Sequence, residues 1–191
     1  MALSPFSSVD RSTLNWLRTS EGPVTFTLSA GDRPVAVLRC PPAGGGQVTV
    51  DTSSGPWSLT RTGFLYPRVG LHAAGASKPM AQLTAHLHRH VLTTEDGASF
   101  GFQRAGMLVP AWKLSTSAGD EVAHVEPVAT GRRLTAGAVI VPEAQVGLPN
   151  LLPLLVLAWY FVTLVWFEDE AVETLAPFEG PDAPVAIRPS P

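Results

Sequence analysis

From Pro23 onward this 191-residue chain reads as short extended segments, several with polar and apolar residues alternating at a period of two, and near its end they give way to a continuous apolar run. Val24, Phe26 and Leu28 are separated by Thr25 and Thr27, Ala30-Gly31-Asp32 supplies a turn, and Val35 to Leu38 resumes the extended run. This pattern predicts a hairpin, because alternation places every second side chain on one face of a strand. Further strands are expected at 47–51, 57–61, 66–72, 80–92, 99–103, 108–115, 121–126 and 134–141. Turn residues separate them, such as Ser53-Ser54-Gly55-Pro56, Glu95-Asp96-Gly97 and Ala118-Gly119-Asp120. About ten short strands spaced roughly 8 to 12 residues apart predict a sandwich or a barrel. Residues 1–22 read as a polar lead-in with one short helix over 12–18, where Leu14 and Leu17 share a helical face.

From Val146 to Phe167 the chain is uncharged and nearly all apolar, reading VGLPNLLPLLVLAWYFVTLVWF. At about 1.5 Å per residue this makes a helix of roughly 33 Å, the thickness of a bilayer core. Asn150 is placed to cap a helix over 151–167, with Pro149 and Pro153 in or near the first turn. A helix apolar on every face is embedded in lipid or buried in protein. About ten strands with no other long helix remove their edges by closing on themselves, and a wide closed barrel has an interior to fill. The expected fold is therefore mainly β: a closed antiparallel barrel of 10–12 strands over 23–176. Inside it lies the apolar helix, whose core residues are Leu154, Leu157, Trp159, Phe161, Leu164 and Trp166. The alternative is a tail-anchored membrane protein with a cytoplasmic β-domain. Glu168-Asp169-Glu170 ends the run, and acids sit unfavourably at the negative C-terminal end of a helix dipole.

Charge changes this picture in one respect. Six of the 16 acids lie beyond Phe167, where Arg188 is the only base, so the body carries twelve bases against ten acids. The bases are scattered singly apart from Arg132-Arg133, and with a pI near 5.9 the chain lacks the footprint of a nucleic-acid binder. A single cysteine, Cys40, allows no internal disulfide, and the N-terminus lacks a basic and then apolar leader pattern, so a cytoplasmic location is expected. Residues 177–191, with five prolines, read as a disordered acidic tail.

Two local patterns resemble reaction centres. His86, His88 and His90 in HLHRH fall on one face if 80–92 is a single strand, with Glu95 beyond them, and imidazoles so placed converge on zinc or iron. They are the candidate metal ligands, and they support a third reading, a metal-dependent small-molecule enzyme. Against it, Leu83, Ala85 and Leu87 form the opposite apolar face, which suits a solvent-facing histidine row. The run GASFG around Ser99, followed by Asp120 and His124, matches a nucleophile elbow in residue order, but the elbow needs a strand before the serine and a helix after it. Gly44-Gly45-Gly46 lacks phosphate-loop spacing and reads as a hairpin tip.

The meander, the Trp112-Lys113-Leu114 strand, the Val125-Glu126-Pro127 strand end, and the apolar helix bearing Trp159-Tyr160 and ending at Phe167-Glu168-Asp169 together resemble the Tubby C-terminal-like superfamily. That superfamily includes LURP-one-related and phospholipid scramblase-like proteins. The resemblance spans about 23–176 and implies a roughly twelve-stranded barrel around a hydrophobic C-terminal helix. Tubby proteins bind phosphoinositides through clustered lysines and arginines, whereas this chain has only Lys78 and Lys113 and single arginines. The calcium-binding and palmitoylated cysteine segments of scramblases have no counterpart, so no functional residue is carried over. The expected function is a non-enzymatic binding or scaffold module without a cofactor. Its partner is an unidentified ligand or protein, or lipid at a membrane surface.

Overall fold

The computed structural model describes residues 2–41, 47–63, 67–86, 89–106, 111–131 and 133–174, and their side chains except those of Glu21 and 167–174. Twelve strands follow one another: β1 (Thr13–Glu21), β2 (Val24–Ala30), β3 (Arg33–Cys40), β4 (Val48–Thr52), β5 (Gly55–Thr62) and β6 (Arg68–Ala73) form the first half. The second half comprises β7 (Ala81–Thr84), β8 (His90–Thr94), β9 (Ser99–Ala105), β10 (Ala111–Thr116), β11 (Glu121–Thr130) and β12 (Arg133–Ile140), and α1 (Leu151–Thr174) comes last. Each strand pairs antiparallel with its sequence neighbours, and β1 pairs with β12 from Thr13 opposite Ile140 to Leu17 opposite Ala136. The sheet is thus a closed barrel with α1 inside it, as the alternation and the apolar run together predict.

Two segments differ from their sequence reading. Residues 13–21 form a strand, not a helix over 12–18, because the inward residues are Leu14 and Trp16, 0% and 1% exposed, while Leu17 points outward. The period is two, and the spacing of Leu14 and Leu17 only imitates a helical face. The expected single strand over 80–92 is two strands, β7 and β8, paired from Ala81 opposite Thr94 to Thr84 opposite Val91.

The helix fills the lumen closely. Its residues 154–163 are all buried, and Leu154, Leu157 and Trp159 are fully inaccessible. Leu164, Val165 and Trp166 are partly buried against the same core. Trp159 stacks on Trp16 with ring centres 5.6 Å apart and planes 5° from parallel, and meets Phe26 edge-on at 5.5 Å. Opposite Trp16 on β12 stands Gly137, where an added Cβ would lie 2.5 Å from Cη2 of Trp159. Glycine is needed there because the indole occupies the side-chain space, and its backbone is not in the left-handed region. Phe161 continues the aromatic packing against Trp112, Phe102 and His90. Among the described residues no helix is long and apolar enough to cross a membrane.

Candidate functional site: an arginine rim around a plugged barrel

A barrel filled by its own helix leaves the rims and the outer wall for interactions. Antiparallel pairing puts alternate hairpin turns at opposite ends, and the two ends differ in charge. At the end where α1 begins, Asp32, Glu95, Asp96 and Asp120 occupy turns, Glu121 opens β11 and Glu143 follows β12, and these acids outnumber the bases at the same end, Arg11, Arg33 and Lys78. At the other end Arg39, Arg61 and Arg104 are the penultimate residues of β3, β5 and β9. Arg68 and Arg133 open β6 and β12, Arg89 immediately precedes β8, and Arg18 lies in the last part of β1. Residues far apart in sequence thus gather into one basic ring. The sequence reading missed it because the ring arises only when twelve strands are placed in alternating directions.

The helix is oriented to match. Asn150 accepts the first helical hydrogen bond from the Leu154 N–H through its carbonyl, and its side-chain amide donates to Asp96 Oδ2 at 3.3 Å. The Thr94 hydroxyl and then the Ala98 N–H hold the Asp96 carboxyl below the usual carboxylate range. The positive end of the helix dipole therefore begins beside a carboxylate, and its negative end points to the arginine rim.

Two grooves flank β1 near that rim, where the pairing with β2 shifts between Arg18 and Ser20. One, of about 530 Å³, is lined by Arg18, Arg133 and the hydroxyls of Thr19, Ser20, Thr130 and Thr135. Arg18 Nη1 donates to the Leu134 carbonyl at 3.4 Å. The other, of about 610 Å³, holds Arg39, which donates to Asp51 Oδ2 at 2.9 Å. Beside the first groove, Leu17 and Val128 are 56% and 53% exposed, and both pair with Ala136, one from each side. Two large apolar side chains thus stand in solvent next to an arginine-bearing groove.

Cys40, the last residue of β3, is buried close to the helix at this end. Burial pushes its thiol up to about 12, against the opposing effects of a Thr163 hydrogen bond and the Arg18 charge. A thiol so protonated is a poor nucleophile.

The histidines do not share a strand. His86 lies in the connection between β7 and β8, where its N–H donates to His90 Nδ1 at 3.4 Å, and His88 lies outside the described residues. His90 opens β8 and turns inward, its ring 4.3 Å from Phe161 and 5.8 Å from Trp112. Glu95 follows the far end of β8 and pairs with Lys78 at 3.5 Å. It stands five residue steps along the chain from His90, about 17 Å in extended backbone. Among the described residues no three metal-ligating side chains come together. Ser99 follows the Asp96-Gly97 turn and opens β9, which runs on as a strand where a nucleophile elbow needs a helix. Gly44-Gly45-Gly46 and 177–191 lie outside the described residues.

Burial, followed by the charge of His86, lowers the pKa of His90 below its ordinary value. The native state therefore binds fewer protons than the unfolded chain, for which the value is about 6.5. The stability from neutral His90 is present above that pH and is lost as pH falls through the lowered native value. Urea midpoints measured at pH 7.5 and 5.5 should fall more for the wild type than for His90→Phe, which keeps the contact with Phe161. Equal losses would remove His90 as a source of acid sensitivity. In comparisons with protein-family models, curated proteins and solved structures, nothing matches the chain.

Proposed function

We propose that this protein is a non-enzymatic binding module that docks on an anionic membrane surface through its arginine rim. The observation that carries the reading is the gathering of Arg18, Arg39, Arg61, Arg68, Arg89, Arg104 and Arg133 at one end of a barrel whose lumen is already full. The layout of twelve strands around a C-terminal helix also agrees with the Tubby-like resemblance, which we propose as its kinship. Arginine suits phosphate-rich surfaces because its planar fork donates several hydrogen bonds and is weakly hydrated. Leu17 and Val128, exposed beside the first groove, supply apolar contact where arginines supply charge.

Each basic residue near an anionic leaflet contributes about 1 kcal/mol, an attraction screened within a Debye length. The protein should therefore co-sediment with vesicles of 70% phosphatidylcholine and 30% phosphatidylserine in 0.1 M salt, but neither with pure phosphatidylcholine nor in 0.5 M salt. Arg68→Gln combined with Arg104→Gln, both exposed rim positions, should weaken the binding roughly tenfold or more. Indifference to lipid charge would refute the reading.

A further inference from the structure

We propose that the outer face of β11, β12 and β1 is a self-association surface, on which a second copy of this chain docks about a two-fold axis running along β12. Among the described residues, the exposed large hydrophobic side chains are Leu17, Val128 and Ile140, and all three stand on this one face of the wall. Exposed apolar residues are ordinary when scattered singly, but gathered on three adjacent strands they mark an interaction surface. The arginine rim accounts only for Leu17 and Val128. Ile140 ends β12 at the opposite, acidic end, which lipid docked on the rim does not reach.

The register identifies the occupant. Three rows cross the face, each centred on β12: Leu17-Ala136-Val128, Asn15-Ala138-Glu126 and Thr13-Ile140-His124. A two-fold axis along β12 exchanges the flanks within each row and lays the central column on itself, which is the self-matching that an isologous contact requires. Leu17 of each copy then meets Val128 of the other, Asn15 faces Glu126, Thr13 faces His124, and Ile140 packs on its own counterpart. Apolar groups thus fall on apolar groups and polar groups on polar ones. Glu126 meets His124 Nε2 of its own chain through Oε1 at 3.4 Å, yet its side chain is 49% exposed, so its second carboxylate oxygen is open to the Asn15 amide. An axis running across the strands fails, because it sets Glu126 on Glu126 at the centre and Leu17 on Thr13.

The size of the contact sets its strength. Two convex walls touch over few strands, and this face spans three strands and three rows, about 10 Å by 14 Å between the outermost backbone positions. With side chains it covers on the order of 400 Å² per partner, about half of what a standard interface buries, so the dimer is weak and reversible, with a Kd on the order of 0.1 mM.

The test is sedimentation equilibrium on the full chain between about 10 µM and 1 mM. The wild type should pass from monomer to dimer over this range, and should still do so in 0.5 M NaCl because the contact is mainly apolar. A wild type that stays monomeric at 1 mM, dissociates in salt or assembles beyond the dimer overturns the proposal. Leu17→Glu and Val128→Lys, at exposed positions where thermal melts should show an intact fold, should each weaken association about tenfold or more. An equimolar mixture of the two should recover a dimer, since one contact brings the introduced acid onto the introduced base and the other keeps the native pair. Undiminished dimers of the single variants, or a mixture no better than its components, overturn the two-fold arrangement. No lipid enters this test, so its failure leaves the membrane-docking reading standing, and absence of vesicle binding leaves the dimer standing.

Discussion

Leu157→Glu should leave no folded protein: purified under native conditions, the variant is expected to show no cooperative thermal transition and no fixed tryptophan environment. Leu157 is fully inaccessible in the middle of α1, with wall on every side. A carboxylate there loses its hydration and gains no partner, and the effective cost after relaxation is still several kcal/mol. Taking up a proton instead leaves a buried carboxyl without a partner and removes an apolar side chain worth about 1.5 to 3 kcal/mol of burial. Domains are stable by only about 5 to 15 kcal/mol, so either route consumes most of the margin. Leu157→Met preserves volume and should cost less than about 1.5 kcal/mol. A soluble Leu157→Glu protein with wild-type melting would show that α1 is dispensable to the wall.

The second large effect is expected at the Trp159 contact. Trp159→Ala should cost about 3 to 5 kcal/mol, since it removes a buried indole and its stack on Trp16. Gly137→Val should also destabilise, by about 1 to 3 kcal/mol, because its side chain enters the space of that indole. The two changes relieve each other: with Trp159 reduced to alanine, the valine fills part of the hole. Urea midpoints for the four proteins of the cycle should then give a coupling of about 0.5 to 3 kcal/mol, with the double variant more stable than the sum of the singles. Strict additivity would mean that Gly137 and Trp159 do not touch.

The reading of the sequence captured what local periodicity encodes. Strand β2 was legible because Phe26 and Leu28 alternate with Thr25 and Thr27, β3 because the apolar run Val35–Leu38 follows a Gly-Asp turn, and the helix because no face of 151–166 is polar. Its burial in protein followed from needing to fill a closed sheet. The β1 strand was not legible, since two leucines three apart satisfy a helical period as well as Leu14 and Trp16 satisfy a strand. The single strand over 80–92 failed for a related reason: nothing local in HLHRH marks the break between β7 and β8, whose first residue, half-buried His90, packs on Phe161. The arginine rim was invisible in principle. Single arginines near strand ends carry no pattern until the turns assign each end to a side, so the candidate site belongs to the topology.

The seam between β1 and β12 governs how the molecule can assemble. Its partners, such as Thr13 and Ile140, are separated by most of the barrel sequence, and the wall they complete encloses a helix that is made only afterwards. Bulky tryptophan and phenylalanine side chains do not slide through a finished ring, so the edge of β1 that faces β12 waits unpaired until α1 has been made. Such long-range closure is intrinsically slow and exposes an adhesive strand edge in the interval. Translation speed and chaperone supply, more than final stability, should set how much of this protein a cell accumulates.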